Sequence, residues 1–357
     1  VKRSLADYLR VPSLVDTDAV LARVRESAAR TPIDRVECLW EPFMTLAAQL
    51  REMLDIGGMH TAQTELFRDK KKMKDALDAA GLRTPRNQSA TGSDAIRAAA
   101  NSIGLPLVIK PIAGAGSANT HEVRDQAGLE AAIADVGEQR EVSVEEYIEG
   151  EEYTFDTVCA NGRILFENIA WYRPKPIIGR NVEWISMQTV NLRDPGRPEL
   201  AAGRELGRQV IEALGFRTGF THMEWFLTPS GEAVFGEIGG RPPGGRSVDL
   251  MNFSNDFDVY LGWAQAVTRG EFNQTAHHRY HAAAIFKRAR GPGRICAIHG
   301  LDSLRQRFGK HIVVEDLLPI GSPRRNWRQT LLSDGYLIVR HPDLARTLEI
   351  ADAVGTD

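Results

Sequence analysis

Two glutamates, Glu224 and Glu237, stand thirteen residues apart in "THMEWFLTPSGEAVFGEIGG" (221–240). The segment reads as a β-hairpin with its turn at Thr228–Gly231. Pairing Leu227 with Glu232 puts Glu237 opposite His222 and Glu224 on the diagonal, roughly 7–8 Å from Glu237 at the backbone. Side chains two apart share a face, so His222, Glu224, Phe226, Phe235 and Glu237 are expected to point the same way. Two carboxylates left bare on one face repel; the same pair, as hard oxygen ligands, suits Mg²⁺ shared with a phosphate. That second reading requires phosphate-binding groups elsewhere in the chain.

Such groups are present. Lys110 ends the apolar strand "LPLVIKP" (105–111), and Gly114-Ala115-Gly116-Ser117 follow, small enough for backbone N–H groups to close on phosphate oxygens. Lys70 opens a helix in "DKKKMKDALDAAG" (69–81), where Asp69 caps, Met73, Ala76, Leu77 and Ala80 form an apolar face, and Gly81 stops. The run "VEEYIEGEEY" (144–153) leads from a strand into an acidic turn, offering a backbone edge to a base and a carboxylate to a sugar. Taken singly, each piece reads equally well as a solvated Glu pair, an ordinary glycine loop, an exposed lysine run or an acidic edge strand. No GxxxxGK[ST] loop is present. After Glu237, "GGRPPGG" (239–245) aims Arg241 from a turn that Gly239 and Gly240 permit, Pro242-Pro243 stiffen its exit, and Gly244-Gly245 expose amides that suit an oxyanion. His222 is a candidate proton acceptor, and Trp171, Arg173 and Lys175 are candidates for shaping a pocket.

The remaining elements must position these groups. "RVECLW" (35–40) reads as a strand and 41–54 as an amphipathic helix ending near Gly57-Gly58, the remainder of a doubly wound unit; with no first strand ahead of it, a missing or cleaved start is expected. "RTPRN" (83–87) reads as a linker. Helices at 93–104 and 126–136 alternate with strands at 105–111 and 141–150. Two long strands at 151–171 turn at Asn161-Gly162. A helix at 201–215 precedes the glutamate hairpin, and strands near 281–287, 311–315 and 336–340 suggest a C-terminal α+β lobe.

In this order, the sequence resembles the ATP-grasp superfamily over roughly residues 60–265, and within it the carboxylate–amine ligases, including the L-amino-acid (dipeptide) ligases. The resemblance implies an α/β chain of α+β lobes: a Rossmann-like N-terminal pre-ATP-grasp region (1–68), an ATP-grasp domain (69–270) with a lid (about 80–145) and a central antiparallel sheet (146–270), and a C-terminal lobe (271–357). By position, Lys70 and Lys110 match the family's phosphate-binding lysines, Gly114, Ala115, Gly116 and Ser117 its mobile loop, and Glu145, Glu146, Tyr147 and Ile148 its adenine hinge. Glu152 matches the ribose carboxylate, Glu224 and Glu237 the magnesium ligands, and Arg241 the arginine on the acyl phosphate. The implied cofactors are ATP and one or two Mg²⁺, with Mn²⁺ as substitute. The implied reaction joins a carboxylate to an amine through an acyl phosphate, releasing ADP. Bicarbonate activation and a catalytically silent nucleotide-binding protein are the alternatives. Gly239 departs from the pattern, standing where many members carry Asn as a further metal ligand.

The 357 residues carry a net charge of -3, which argues against a nucleic-acid partner, and no apolar run reaches the length of a membrane span. The N-terminus shows no signal-peptide core, and three widely spaced cysteines (38, 159 and 296) fit a reduced, cytoplasmic setting. The expected partners are a small carboxylate and an amine, with room left for a homodimer or a carrier protein.

Overall fold

The computed structural model describes residues 5–112, 120–327, 329–330 and 332–356. The chain opens with α1 (Thr17–Ala28), α2 (Met44–Leu54), α3 (Thr61–Leu66) and α4 (Lys70–Ala79). Residues 35–40, expected as a strand, join neither sheet. The reason is local: the Val36 carbonyl is taken by the buried guanidinium of Arg51 on α2, at 2.9 Å from Nε, so a side chain replaces the ladder partner.

Next comes a small body: β1 (Asn87–Thr91), α5 (Ser93–Ile103), β2 (Leu107–Pro111), β3 (His121–Val123), α6 (Gln126–Val136) and β4 (Glu141–Glu146). Its strands are antiparallel in the order β1-β4-β2-β3. Leu107, Ile109, Val142 and Val144 alternate onto the face covered by Ile96, Ala100, Leu129 and Ile133 of the two helices. The 83–87 segment, read as a linker, thus runs straight into an edge strand.

The large body holds β5 (Glu151–Ala160), β6 (Arg163–Arg173), α7 (Pro176–Asn181), β7 (Gln188–Leu192), α8 (Ala201–Ala213), β8 (Gly219–Leu227), β9 (Ala233–Gly239), α9 (Ser247–Asn255) and α10 (Val259–Arg269). β10 (His281–Phe286), α11 (Leu301–Phe308), β11 (Ile312–Leu317), β12 (Gly335–His341) and α12 (Leu344–Thr356) complete it. Its sheet has eight antiparallel strands in the order β11-β12-β10-β7-β6-β5-β8-β9. The three C-terminal strands form where expected, but they extend this sheet through β10–β7 pairing rather than building a sheet of their own.

One face of the large sheet is apolar. Phe155, Ile169, Val190, Met223, Trp225, Ile285 and Val339 pack with Met73 and Leu77 of α4, Val210 of α8 and Ile350 of α12. Gly203 and Gly207 let α8 approach, since a Cβ at either would overlap Trp225 or Phe155. On the opposite face a polar stretch of Thr154, Asp156, Asn168, Tyr172, His222 and Glu224 is flanked by apolar positions such as Val158, Phe220, Ala284 and Ile338 that pack under α9 and α10, and Glu224 reaches the cleft beside the small body. Asn161 (φ 54°) and Gly162 (φ 78°) supply the left-handed turn between β5 and β6.

Candidate active site

A cleft lies between the two bodies. Lys70, Lys110, Glu145, Glu146, Tyr147, Ile148, Glu152, Glu224 and Glu237 all line it. Residues 150 or more positions apart are therefore brought together by α4, the inner β2–β4 pair with the segment that follows β4, the start of β5 and the β8–β9 hairpin. Gly114–Ser117 lie outside the described residues.

The hairpin register differs from the one counted off the turn. Leu227 pairs with Ala233 and Trp225 with Phe235, but Glu224 faces Glu237 directly. Gly236 is the extra residue of a β-bulge, and a Cβ there would stand 2.7 Å from the Glu224 carbonyl oxygen. The bulge splits the side chains that simple alternation put together. Phe235 turns into the apolar core and is fully buried, while Glu237 turns into the cleft. His222 consequently lies opposite Gly239 rather than Glu237.

Each carboxylate has a distinct set of partners. Glu237 pairs with Lys70 at 3.2 Å. Glu224 accepts from the Tyr172 hydroxyl at 3.1 Å and lies 3.5 Å from His222 Nε2. The other ring nitrogen of His222 meets Asp156 at 2.6 Å, and Asp156 is further held by Thr154 and Asn168. Burial disfavours the imidazolium, but Asp156 and its hydrogen bond outweigh that and lift the His222 pKa to about 9. His222 is thus a fixed cation at neutral pH, not the vacant base its position suggested. Burial also opposes charge on Glu224, and His222 overcomes it to hold that carboxyl below its usual range. Glu152 goes the other way: burial and then the Glu224 charge raise it well above the ordinary value.

Two carboxylates opposed across a strand pair, each already matched by a cation or a donor, fit a divalent ion. Among the described residues no third His, Cys, Asp or Glu completes a metal cage with them. Such a site leaves positions for water and phosphate oxygens, as Mg²⁺ prefers. Gly239 offers no ligand; a Cβ there would touch Arg241 Cγ at 3.4 Å, so the guanidinium lies over the space an Asn side chain would enter.

The hinge works differently from expectation. The Glu145 carboxylate does not reach for a base; it is buried between Lys74 (2.5 Å) and Lys110 (2.8 Å). Glu146 is held by Arg83 and by the Arg86 amide. The Glu146 and Tyr147 amides already donate to the carbonyls of Arg86 and Pro106, whereas the Ile148 amide donates to no acceptor among the described residues. Lys175 caps this end of the cleft, donating to the Ile148 carbonyl at 3.2 Å and lying over the Tyr147 ring. Trp171 and Arg173 belong to β6, not to a loop; Trp171 donates to Glu151 and Arg173 pairs with Asp352 of α12.

Arg241, Gly244 and Gly245 do not line the cleft. Arg241 is held by Glu41, whose carboxylate oxygen lies 2.8 Å from both Nε and Nη2. Gly245 (φ 62°) makes the turn into α9. Lys74, Asp156 and Tyr172 escaped sequence reading. Lys74 had a signal, since it follows Lys70 by one helical turn and adjoins Met73 on the apolar side of α4.

Residues 67–170 match the family model of the ATP-grasp domain. Over that stretch the chain is similar to the ATP-grasp family. Along 242 residues it is 27% identical to an L-arginine-specific L-amino acid ligase of Bacillus subtilis, covering 66% of this chain and 58% of that protein. A formate-dependent phosphoribosylglycinamide formyltransferase of Synechococcus elongatus is 30% identical over 272 residues, 72% of this chain and 65% of that one. The chain thus spans less than two thirds of the length of either relative. In fold it is similar to the L-amino acid ligase from Bacillus licheniformis, with a TM-score of 0.76, 22% identity, and coverage of 97% of this chain and 86% of the other. An N5-carboxyaminoimidazole ribonucleotide synthetase in complex with ADP superposes with a TM-score of 0.69 at 15% identity, covering 99% and 86% of the two chains. The ATP-grasp match begins just ahead of Lys70 and ends within β6, so it contains Lys70, Lys110 and residues 145–148 but neither Lys175 nor the glutamate hairpin.

Proposed function

We propose that the protein is an ATP-dependent carboxylate–amine ligase that releases ADP and phosphate, with amino acids or other small carboxylic acids as substrates. The observation that carries this reading is the direct opposition of Glu224 and Glu237 in one cleft with Lys70 and Lys110. Adenine stacks at the Tyr147–Ile148 hinge with the Ile148 amide as donor, and Glu152 receives the ribose. A carboxylate cannot release oxide, so its oxygen first takes the γ-phosphoryl group from ATP and ADP leaves. The amine then attacks the acyl carbon, the acyl–oxygen bond breaks, phosphate departs and the amine proton passes to water.

The side chains here bind, orient and balance charge rather than react. Lys70 and Lys110 offset phosphate charge. Glu224 and Glu237 would hold magnesium, which when bound supplies positive charge at the β- and γ-phosphate oxygens. His222, locked by Asp156, keeps Glu224 ionised and aimed. Arg241, held by Glu41 beside the cleft, would bring its positive charge toward the acyl phosphate.

The deciding experiment is phosphate release with ATP and Mg²⁺ across a matrix of acids and amines, with mass spectrometry of the products. An amide product together with ADP is expected. AMP as product, or ADP release with bicarbonate and no amine, would refute the reading.

A further inference from the structure

Lys74 takes no part in the mechanism above, yet its charge is 1% exposed. It rides on α4, whose Met73 and Leu77 belong to the core of the large body. Its partner Glu145 belongs to β4 of the small body. The pair therefore crosses from one body to the other. Glu145 is shared: Ser143 and Lys74 meet Oε1, at 2.7 and 2.5 Å, and Lys110 meets Oε2 at 2.8 Å. Lys110 comes from β2, the neighbour of β4.

Two ammonium groups thus bracket one buried carboxylate at the edge of the cleft. A phosphate entering there competes with Glu145 for Lys110. Were Glu145 left without a cation, a buried carboxylate would stand unpaired, which costs far more than a surface charge. Lys74 removes that cost, because it stays on Oε1 when Lys110 turns away. The surroundings of Lys74 are Lys110 of β2, Glu145 of β4 and Glu237 of β9.

We propose that Lys74 is a positioning residue that holds Glu145 across the junction of the two bodies, so that Lys110 can be handed from carboxylate to nucleotide phosphate. This rests on the cleft being the ATP site. Burial and the Lys110 charge lower the Lys74 pKa to about 8 against the pull of Glu145, which leaves it charged near pH 7.

The test is calorimetric binding of ATP with Mg²⁺, and separately of adenosine, to the wild type, Lys74→Met and Lys74→Arg. Adenosine occupies the hinge but offers no phosphate. Lys74→Met is expected to lose about tenfold or more in ATP affinity while adenosine affinity holds, and Lys74→Arg to recover most of the loss. Equal losses for both ligands would mean a structural role, and wild-type ATP affinity in Lys74→Met would mean no role; either overturns the inference alone. A wild type that binds neither ligand overturns the nucleotide reading and the inference with it. If Lys74→Met does not fold, Lys74→Met with Glu145→Gln removes both the stranded charge and the carboxylate that competes for Lys110: ATP affinity near or above the wild type with adenosine held supports the proposal, and an ATP loss of about tenfold or more with adenosine held overturns it.

Discussion

Glu224 and Glu237 face each other across the β8–β9 pair, and one inserted residue, Gly236, makes them do so. Like charges in directly opposed positions destabilise a sheet, and here Lys70 and His222 offset that cost. Replacing either glutamate by Gln is therefore expected to leave folding intact, with melting temperature held within a few degrees. If the proposed function holds, ATP turnover should fall by about a hundredfold or more, because each glutamate would then be a Mg²⁺ ligand. Thermal unfolding checks the first and coupled ADP release the second. Near-wild-type ADP release in Glu237→Gln would sink the site assignment.

Gly236→Ala should damage both stability and turnover. Its Cβ would stand 2.7 Å from the Glu224 carbonyl oxygen, which is backbone and cannot swing aside. We expect a loss of about 1–3 kcal/mol in urea unfolding. If Gly236→Ala were as stable and as active as the wild type, the bulge would not be setting the register.

Arg241 and Glu41 make a graded pair. Arg241→Ala is expected to abolish ADP release, while Glu41→Ala, which only frees the guanidinium, should lower kcat by about tenfold with KM for ATP unchanged. Steady-state kinetics separate the two; equal losses in both variants would argue that Arg241 acts through folding.

Two buried histidines predict the pH profile of stability. His222 has a folded pKa raised to about 9, so its contribution is complete below pH 6.5 and is lost as pH rises through 9. His281 is lowered to about 4, by burial first and then by Arg193, so its contribution is complete above pH 6.5 and is lost as pH falls toward 4. Each limb is on the order of 1–3 kcal/mol at most, solvent screening reducing it further. Urea unfolding from pH 4 to 9 should show a maximum near 6.5. His222→Asn should flatten the alkaline limb and His281→Asn the acid one; a profile unchanged in either variant refutes the corresponding assignment.

Local chemistry was legible where it decides local structure. The Asp69 cap, the Asn161-Gly162 turn and the glycine stop at 104 place α4, the β5–β6 hairpin and α5 within a residue or two. What sequence could not show is which partner a segment takes. Val36 has an apolar-strand context, but a side chain from α2 takes its carbonyl. The bulge was invisible because counting from a turn assumes one residue per residue. Lys74 drew no reading, since only the approach of β4 reveals a counter-charge inside. Of the cleft lining, Lys70, Lys110, residues 145–148 and both glutamates were legible as positions; the Asp156–His222–Glu224 chain and Tyr172 were not, because they meet through strand pairing between distant segments.

The eight-stranded sheet has a consequence for how this protein can be re-engineered. β10 supplies the outer partner of β7, and β12 and β11 lie beyond it. A cut near residue 270 would strip β7 of its neighbour and leave a bare edge lined by Val190 and Leu192, an invitation to self-association. The chain beyond α10 is thus not an exchangeable cassette. Grafting a relative's tail here demands transplanting a strand ladder in register, whereas a junction in the α7 segment keeps β7 on the same side of the cut as β10, β12 and β11.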